Sequence, residues 1–83
     1  MDFDFIEKRQ VNGISYKLYR ATFCRGYFVI SAQSKNEFSC GSICLSVEGA
    51  KHLLDEIASS ETEVYTLVDL LRDFQMSEAM EGA

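Results

Sequence analysis

Residues 46–58 read S-V-E-G-A-K-H-L-L-D-E-I-A, and this stretch decides the fold. At 3.6 residues per turn, Val47, Ala50, Leu53, Leu54, Ile57 and Ala58 fall on one side, and Glu48, Lys51, His52, Asp55 and Glu56 on the other. A helix over Val47 to Ala58 with such a stripe needs an apolar surface to cover. Ser46 is placed to cap it, because its hydroxyl can accept from an orphan amide of the first turn. Glu48 suits the positive end of the helix. Gly49 weakens that turn, so alanine there stabilises it if nothing packs closely. Lys51 and Asp55 are spaced as an i,i+4 pair.

The residues before the helix supply the surface. Residues 2–9 read as a strand with Phe3 and Phe5 on one face and Asp2 and Asp4 on the other. Asn12-Gly13 is the strongest hairpin signal, since both residues tolerate positive φ. Residues 14–24 read as a second, long strand. Its apolar phase changes from Ile14, Tyr16 and Leu18 to Tyr19, Ala21 and Phe23. Either a bulge near Leu18–Tyr19 or a sheet covered on one face only, with exposed aromatics, accounts for the change. Arg25-Gly26 turns the chain into a third strand, residues 27–33, with Phe28, Ile30 and Ala32 buried. A fourth strand, residues 38–45, changes parity between Phe38/Cys40 and Ile43/Leu45, and a bulge at Gly41-Ser42 would bring all four to the core.

After the first helix the chain crosses over. Thr66-Leu67-Val68-Asp69 fits a capping pattern, with Tyr65 stapled onto Leu70. A second helix then carries Leu67, Leu70, Leu71 and Phe74 on one side. Residues 77–83 read as a frayed tail. The fold class is therefore α+β: a four-stranded antiparallel sheet with two helices on one face, in the order β-β-β-β-α-α. The expected core is Ile14, Tyr16, Leu18, Phe28, Ile30, Phe38, Ile43, Leu45, Leu53, Leu54, Ile57, Leu70, Leu71 and Phe74.

The length of 83 residues fits one small domain, and a 47% hydrophobic content allows a core of limited size. No apolar run is long enough to span a membrane, and the acidic opening M-D-F-D-F does not read as a secretory signal. Three cysteines cannot all pair within one chain, so they read as reduced thiols, buried or weakly exposed, in a cytoplasmic protein. Charge is unevenly spread. Residues 1–45 hold six Lys or Arg against four Asp or Glu, and residues 46–83 hold two against nine. The molecule is thus electrically two-faced if sheet and helices separate in space.

Little in the chain points to chemistry. Cys40 and Cys44, with Cys24 and His52, are the conceivable metal set. Their C-x3-C spacing lies within the range of zinc knuckles, but His52 is on the polar side of a helix and Cys24 near a strand end, so no metal is expected. A Cys-His catalytic pair lacks a group to orient the imidazole, so no enzyme is expected. No phosphate-binding glycine motif is present, and no cofactor is expected. Lys17, Arg20 and Arg25, set among Tyr16, Tyr19, Phe23 and Tyr27, are similar to aromatic and basic sheet faces that stack on bases. Against a nucleic-acid partner stand the acidic total of -5 and the absence of an RNP-like run.

Three stretches carry a family resemblance. They are Y-K-L-Y-R at 16–20, A-K-H-L-L-D-E-I at 50–57 and V-Y-T-L-V-D-L-L-R-D-F at 64–74. Together they resemble a family of short Firmicute proteins of uncharacterised function. In that family strands precede an A-x-x-L-L-x-x-L-like helix and a closing L-x-D-V-x-x-D-F-like helix. Leu67, Asp69, Leu70, Asp73 and Phe74 carry the closing match, with Leu70 standing where the pattern has Val. The resemblance covers roughly residues 16–74 and implies no activity. In size and acidity the chain is also similar to a small phage-encoded inhibitor of a bacterial defence system, which is an analogy of class only.

The functional expectation is a small, non-catalytic protein-binding or regulatory module, with a homodimer as one form of that binding. Its interface is expected at Tyr19, Arg20, Phe23, Arg25, Tyr27 and Val29, because aromatic and Arg side chains anchor protein interfaces. The first alternative is an acidic inhibitor presenting Glu48, Asp55, Glu56, Asp69 and Asp73 to a basic protein surface. The second is a single-stranded nucleic-acid-binding module using the outer sheet face.

Overall fold

The computed structural model describes residues 2–81, with side chains through Gln75. Four strands, β1 (Phe3–Val11), β2 (Ile14–Ala21), β3 (Tyr27–Gln33) and β4 (Phe38–Cys44), form an antiparallel sheet in the order β1-β2-β3-β4. Helices α1 (Val47–Ser59) and α2 (Leu67–Glu81) follow, with a short 3-10 turn at Val64–Thr66 between them. Both helices lie on one face of the sheet, α1 over β1 and β2 and α2 over β4. The last two residues of the tail expected to fray, Gly82 and Ala83, lie outside the described residues; α2 extends to Glu81.

The β1–β2 hairpin turns at Asn12-Gly13, whose φ angles of 48° and 80° suit the type I′ turn its sequence favours. Val11 then faces Ile14 and Arg9 faces Tyr16. Of the two accounts of the phase change in β2, a sheet covered on one face is the one that holds; β2 itself has no bulge, and the register shift falls in β1, between Phe5 and Glu7. The extra residue is Ile6, which packs against the core. This bulge keeps Phe3 and Phe5 outward while turning Arg9 and Val11 toward the helices. β2 pairs with β3 without interruption, so its mixed phase reflects apolar residues on both faces. The expected bulge at Gly41-Ser42 is also absent, and β3 and β4 stay in register from Tyr27–Cys44 to Gln33–Phe38. Phe38 is consequently 60% exposed and is not part of the core.

The core joins Tyr16, Leu18, Phe28, Ile30, Ala32 and Ile43 of the sheet to Ala50, Leu53, Leu54 and Ile57 of α1. Val64, Leu67 and Leu71 extend it, while Ile14, Leu45, Leu70 and Phe74 are only partly buried. Gly41 makes room for α2, since a Cβ there would sit 2.8 Å from Leu71 Cδ1. Ser46 caps α1 as its sequence requires, its hydroxyl accepting from the Gly49 amide at 3.1 Å. Val47 is exposed despite its place on the apolar stripe, because it lies at the helix end.

The close of α1 is a tight reversal. Glu61 adopts φ 50°, and the amides of Glu61 and Thr62 donate to the carbonyls of Ala58 and Ile57. This places the Thr62 carbonyl to accept the buried Tyr16 hydroxyl at 2.5 Å. The expected cap and staple of α2 do not form. Thr66 is inside the 3-10 turn, its hydroxyl donates to the Glu63 carbonyl at 2.9 Å, and Tyr65 is 70% exposed. Val64 is the buried residue there, and its carbonyl accepts from the Ser39 hydroxyl of β4.

Candidate protein interface

Residues facing each other across an antiparallel ladder project to the same side. One row of the sheet runs Phe5, Tyr19, Val29 and Ser42, and it lies on the face away from the helices. Phe3 and Tyr27 lie on the same face at the end where β2 turns into β3. Phe23, in that connection, packs edge-on against Phe3 with ring centres 5.7 Å apart and touches Tyr27 at 6.0 Å. Phe5 meets Tyr19 edge-on at 5.8 Å. Phe3, Tyr19 and Val29 line a shallow apolar hollow of about 200 Å³. Phe5 and Phe23 remain 57% and 65% exposed, so the rings shield each other only in part.

Tyr19, Phe23, Tyr27 and Val29 are therefore brought together on the open face. The two arginines expected beside them are not. Arg20 faces Phe28 in the ladder and so alternates to the helix side, where its guanidinium lies 3.7 Å from the Asp4 carboxylate. Arg25 lines a groove with Arg20, Leu45 and Val47 near the start of α1. The cations of the open face are Lys8 and Lys17, which stand directly opposite each other across β1 and β2. The carboxylates within the four strands, Asp4 and Glu7, both turn to the helix side, Glu7 to pair with Arg9 at 2.9 Å.

Simple arithmetic on the hairpin reveals this lysine pair. A two-residue turn at Asn12-Gly13 makes paired residue numbers sum to 25, which sets Lys8 against Lys17. Beyond the bulge the sum becomes 24, which sets Phe5 against Tyr19 and Phe3 against Ala21. Alternation alone puts Phe3 and Phe5 on a common face of β1, and their pairing with Ala21 and Tyr19 adds them to the aromatic cluster.

The alternative acidic surface is spread over two helices and partly occupied. Asp55 accepts from Arg9 Nε at 2.9 Å, so it pairs across to β1 and not with Lys51. Glu56 contacts exposed His52 at 3.0 Å. Glu48, Asp69 and Asp73 are exposed. Cys24, Cys40 and Cys44 are free and exposed, and Cys40, expected on the core face, instead alternates with Cys44 to the open face of β4. Among the described residues no group of His, Cys, Asp and Glu is placed to hold a metal ion. At the β4 edge, Gln75 Oε1 accepts from the Cys44 amide at 2.8 Å, which occupies part of a strand edge otherwise open to pairing. No helix among the described residues is long and apolar enough to cross a membrane.

Burial first, and the nearby Glu61 carboxylate second, push the Tyr16 hydroxyl above its ordinary value of 10.0. Both causes disfavour the phenolate, in keeping with a neutral hydroxyl donating to Thr62.

No family model, curated protein or solved structure matches this chain.

Proposed function

We propose that this protein is a small non-catalytic binding module that takes a protein partner on the open face of its sheet. The observation that carries the reading is the cluster of Phe3, Phe5, Tyr19, Phe23 and Tyr27 around Val29 on the face that the helices leave uncovered. The exposed rings of Phe3, Phe5 and Phe23 and the half-buried Tyr19 and Tyr27 retain apolar area to bury, and aromatic side chains lose little conformational entropy when they do so. The dominant gain on association comes from that area.

Differential capture tests the reading. Wild-type protein, Phe23→Ser/Tyr27→Ser and Glu56→Lys/Asp73→Lys are immobilised and exposed to the same native lysate, and light scattering follows the purified proteins. Partners retained by the wild type should be lost from the aromatic variant and kept by the charge-reversal variant. The opposite pattern, with retention falling steeply as salt rises, would move the interface to the acidic helices.

A further inference from the structure

We infer that the open face takes an extended protein segment in which a carboxylate lies two residues from an apolar anchor. The inference rests on the binding-module reading and specifies its partner. The apolar part is the hollow among Phe3, Tyr19 and Val29. The polar part is the Lys8–Lys17 pair, one row farther along the same face. Lys17 and Tyr19 are two residues apart on β2, which is about 6.8 Å along a strand. An extended ligand has the same repeat, so a side chain seated in the hollow places the residue two positions away over the lysines.

Charge selects the occupant. Like charges directly opposed across a ladder destabilise it, and no carboxylate of the protein forms an ion pair with either lysine among the described residues. Asp4 and Glu7, the acidic residues of the strands, are turned to the other face by alternation and the Ile6 bulge. A carboxylate arriving between the two ammonium groups relieves their repulsion and gains two charge-assisted hydrogen bonds. The same pair discriminates against a basic segment, which the hollow alone would not. A second copy supplies no strand carboxylate from its own open face, so pairing of two open faces leaves the lysines unmet.

The test uses phage-displayed random 12-residue peptides selected against the intact wild-type protein, Lys8→Glu/Lys17→Glu and Phe23→Ser/Tyr27→Ser. Binding of a 20-nucleotide oligothymidine and the oligomeric state are measured in parallel. Thermal melts establish that each variant folds; Lys8→Glu/Lys17→Glu exchanges one directly opposed like-charge pair for another, so its melting temperature should stay close to that of the wild type. The expected result is enrichment of peptides with Asp or Glu two positions from an aromatic or large aliphatic residue. Their affinity should fall about tenfold or more for the lysine variant, and the selection on that variant should shift to Lys and Arg. Enriched peptides without a carboxylate preference, still lost from the aromatic variant, would overturn this inference and leave the module reading standing. A dimer dissociated by the aromatic substitutions, with no peptide enriched, would assign the face to a second copy. Oligothymidine binding that disappears with the lysines, again with no peptide enriched, would overturn both readings in favour of nucleic acid. Failure of all three probes would also overturn the inference.

Discussion

The two faces of this sheet are built by the same four strands and differ in what their chain does next. On one face Tyr16, Leu18, Phe28, Ile30 and Ile43 are sealed under α1 and α2. On the other, Phe3, Phe5, Tyr19, Phe23 and Tyr27 are left to one another. Apolar content alone does not distinguish a core from an interface. What distinguishes them is whether the same chain supplies a cover. The covered face should therefore govern stability and the open face association, and substitutions can separate the two.

The largest effect belongs to the covered face. Leu54→Ala or Ile57→Ala removes a fully buried side chain and should cost about 2–5 kcal/mol, read as a lowered urea midpoint. An unchanged midpoint would mean that α1 is not what seals the core. Tyr16→Phe should cost about 1–3 kcal/mol, since it leaves the buried Thr62 carbonyl without its donor. The same tyrosine gives a pH signature. Its raised pKa means that its contribution is fully present below pH 10.0 and is lost as pH rises through the higher folded value. Alkaline unfolding should therefore begin at lower pH in the wild type than in Tyr16→Phe, relative to each protein's stability at neutral pH.

Gly41→Ala should cost about 1 kcal/mol. The added methyl meets Leu71 Cδ1 at 2.8 Å, an overpacking that exceeds the backbone-entropy gain of alanine in a strand. A stabilised variant would show that Leu71 turns aside freely. The smallest effect is expected on the open face, where Phe23→Ser should lower stability by less than about 1 kcal/mol. A loss as large as that of Leu54→Ala, dependent on protein concentration, would mean that a second copy already covers this face.

Much of this architecture is legible in the residues. The stripe from Ala50 to Ala58, the Asn12-Gly13 turn and the Ser46 cap are local signals, and each appears in the fold where the sequence places it. The errors concern signals that depend on what lies across the sheet or under a helix. Phe38 looks like core because it is large and apolar, yet an uninterrupted β3–β4 register turns it outward. Tyr65 looks like a staple, but Val64 takes the buried place in the 3-10 turn. Arg20 looks adjacent to Tyr19 in sequence and is on the opposite face of the sheet.

By itself the sequence determined the order of elements, the first hairpin and the buried side of α1, because turns and amphipathic periods act over a few residues. Tertiary structure decided where the bulge falls, which aromatics meet, and that Arg25 joins Arg20 in a groove near the start of α1 instead of the aromatic face. Strand alternation makes the first two of these a question of register. A shift of one residue exchanges the two faces, and the Ile6 bulge introduces that shift in β1 so that both Phe5 outside and Val11 inside find apolar company.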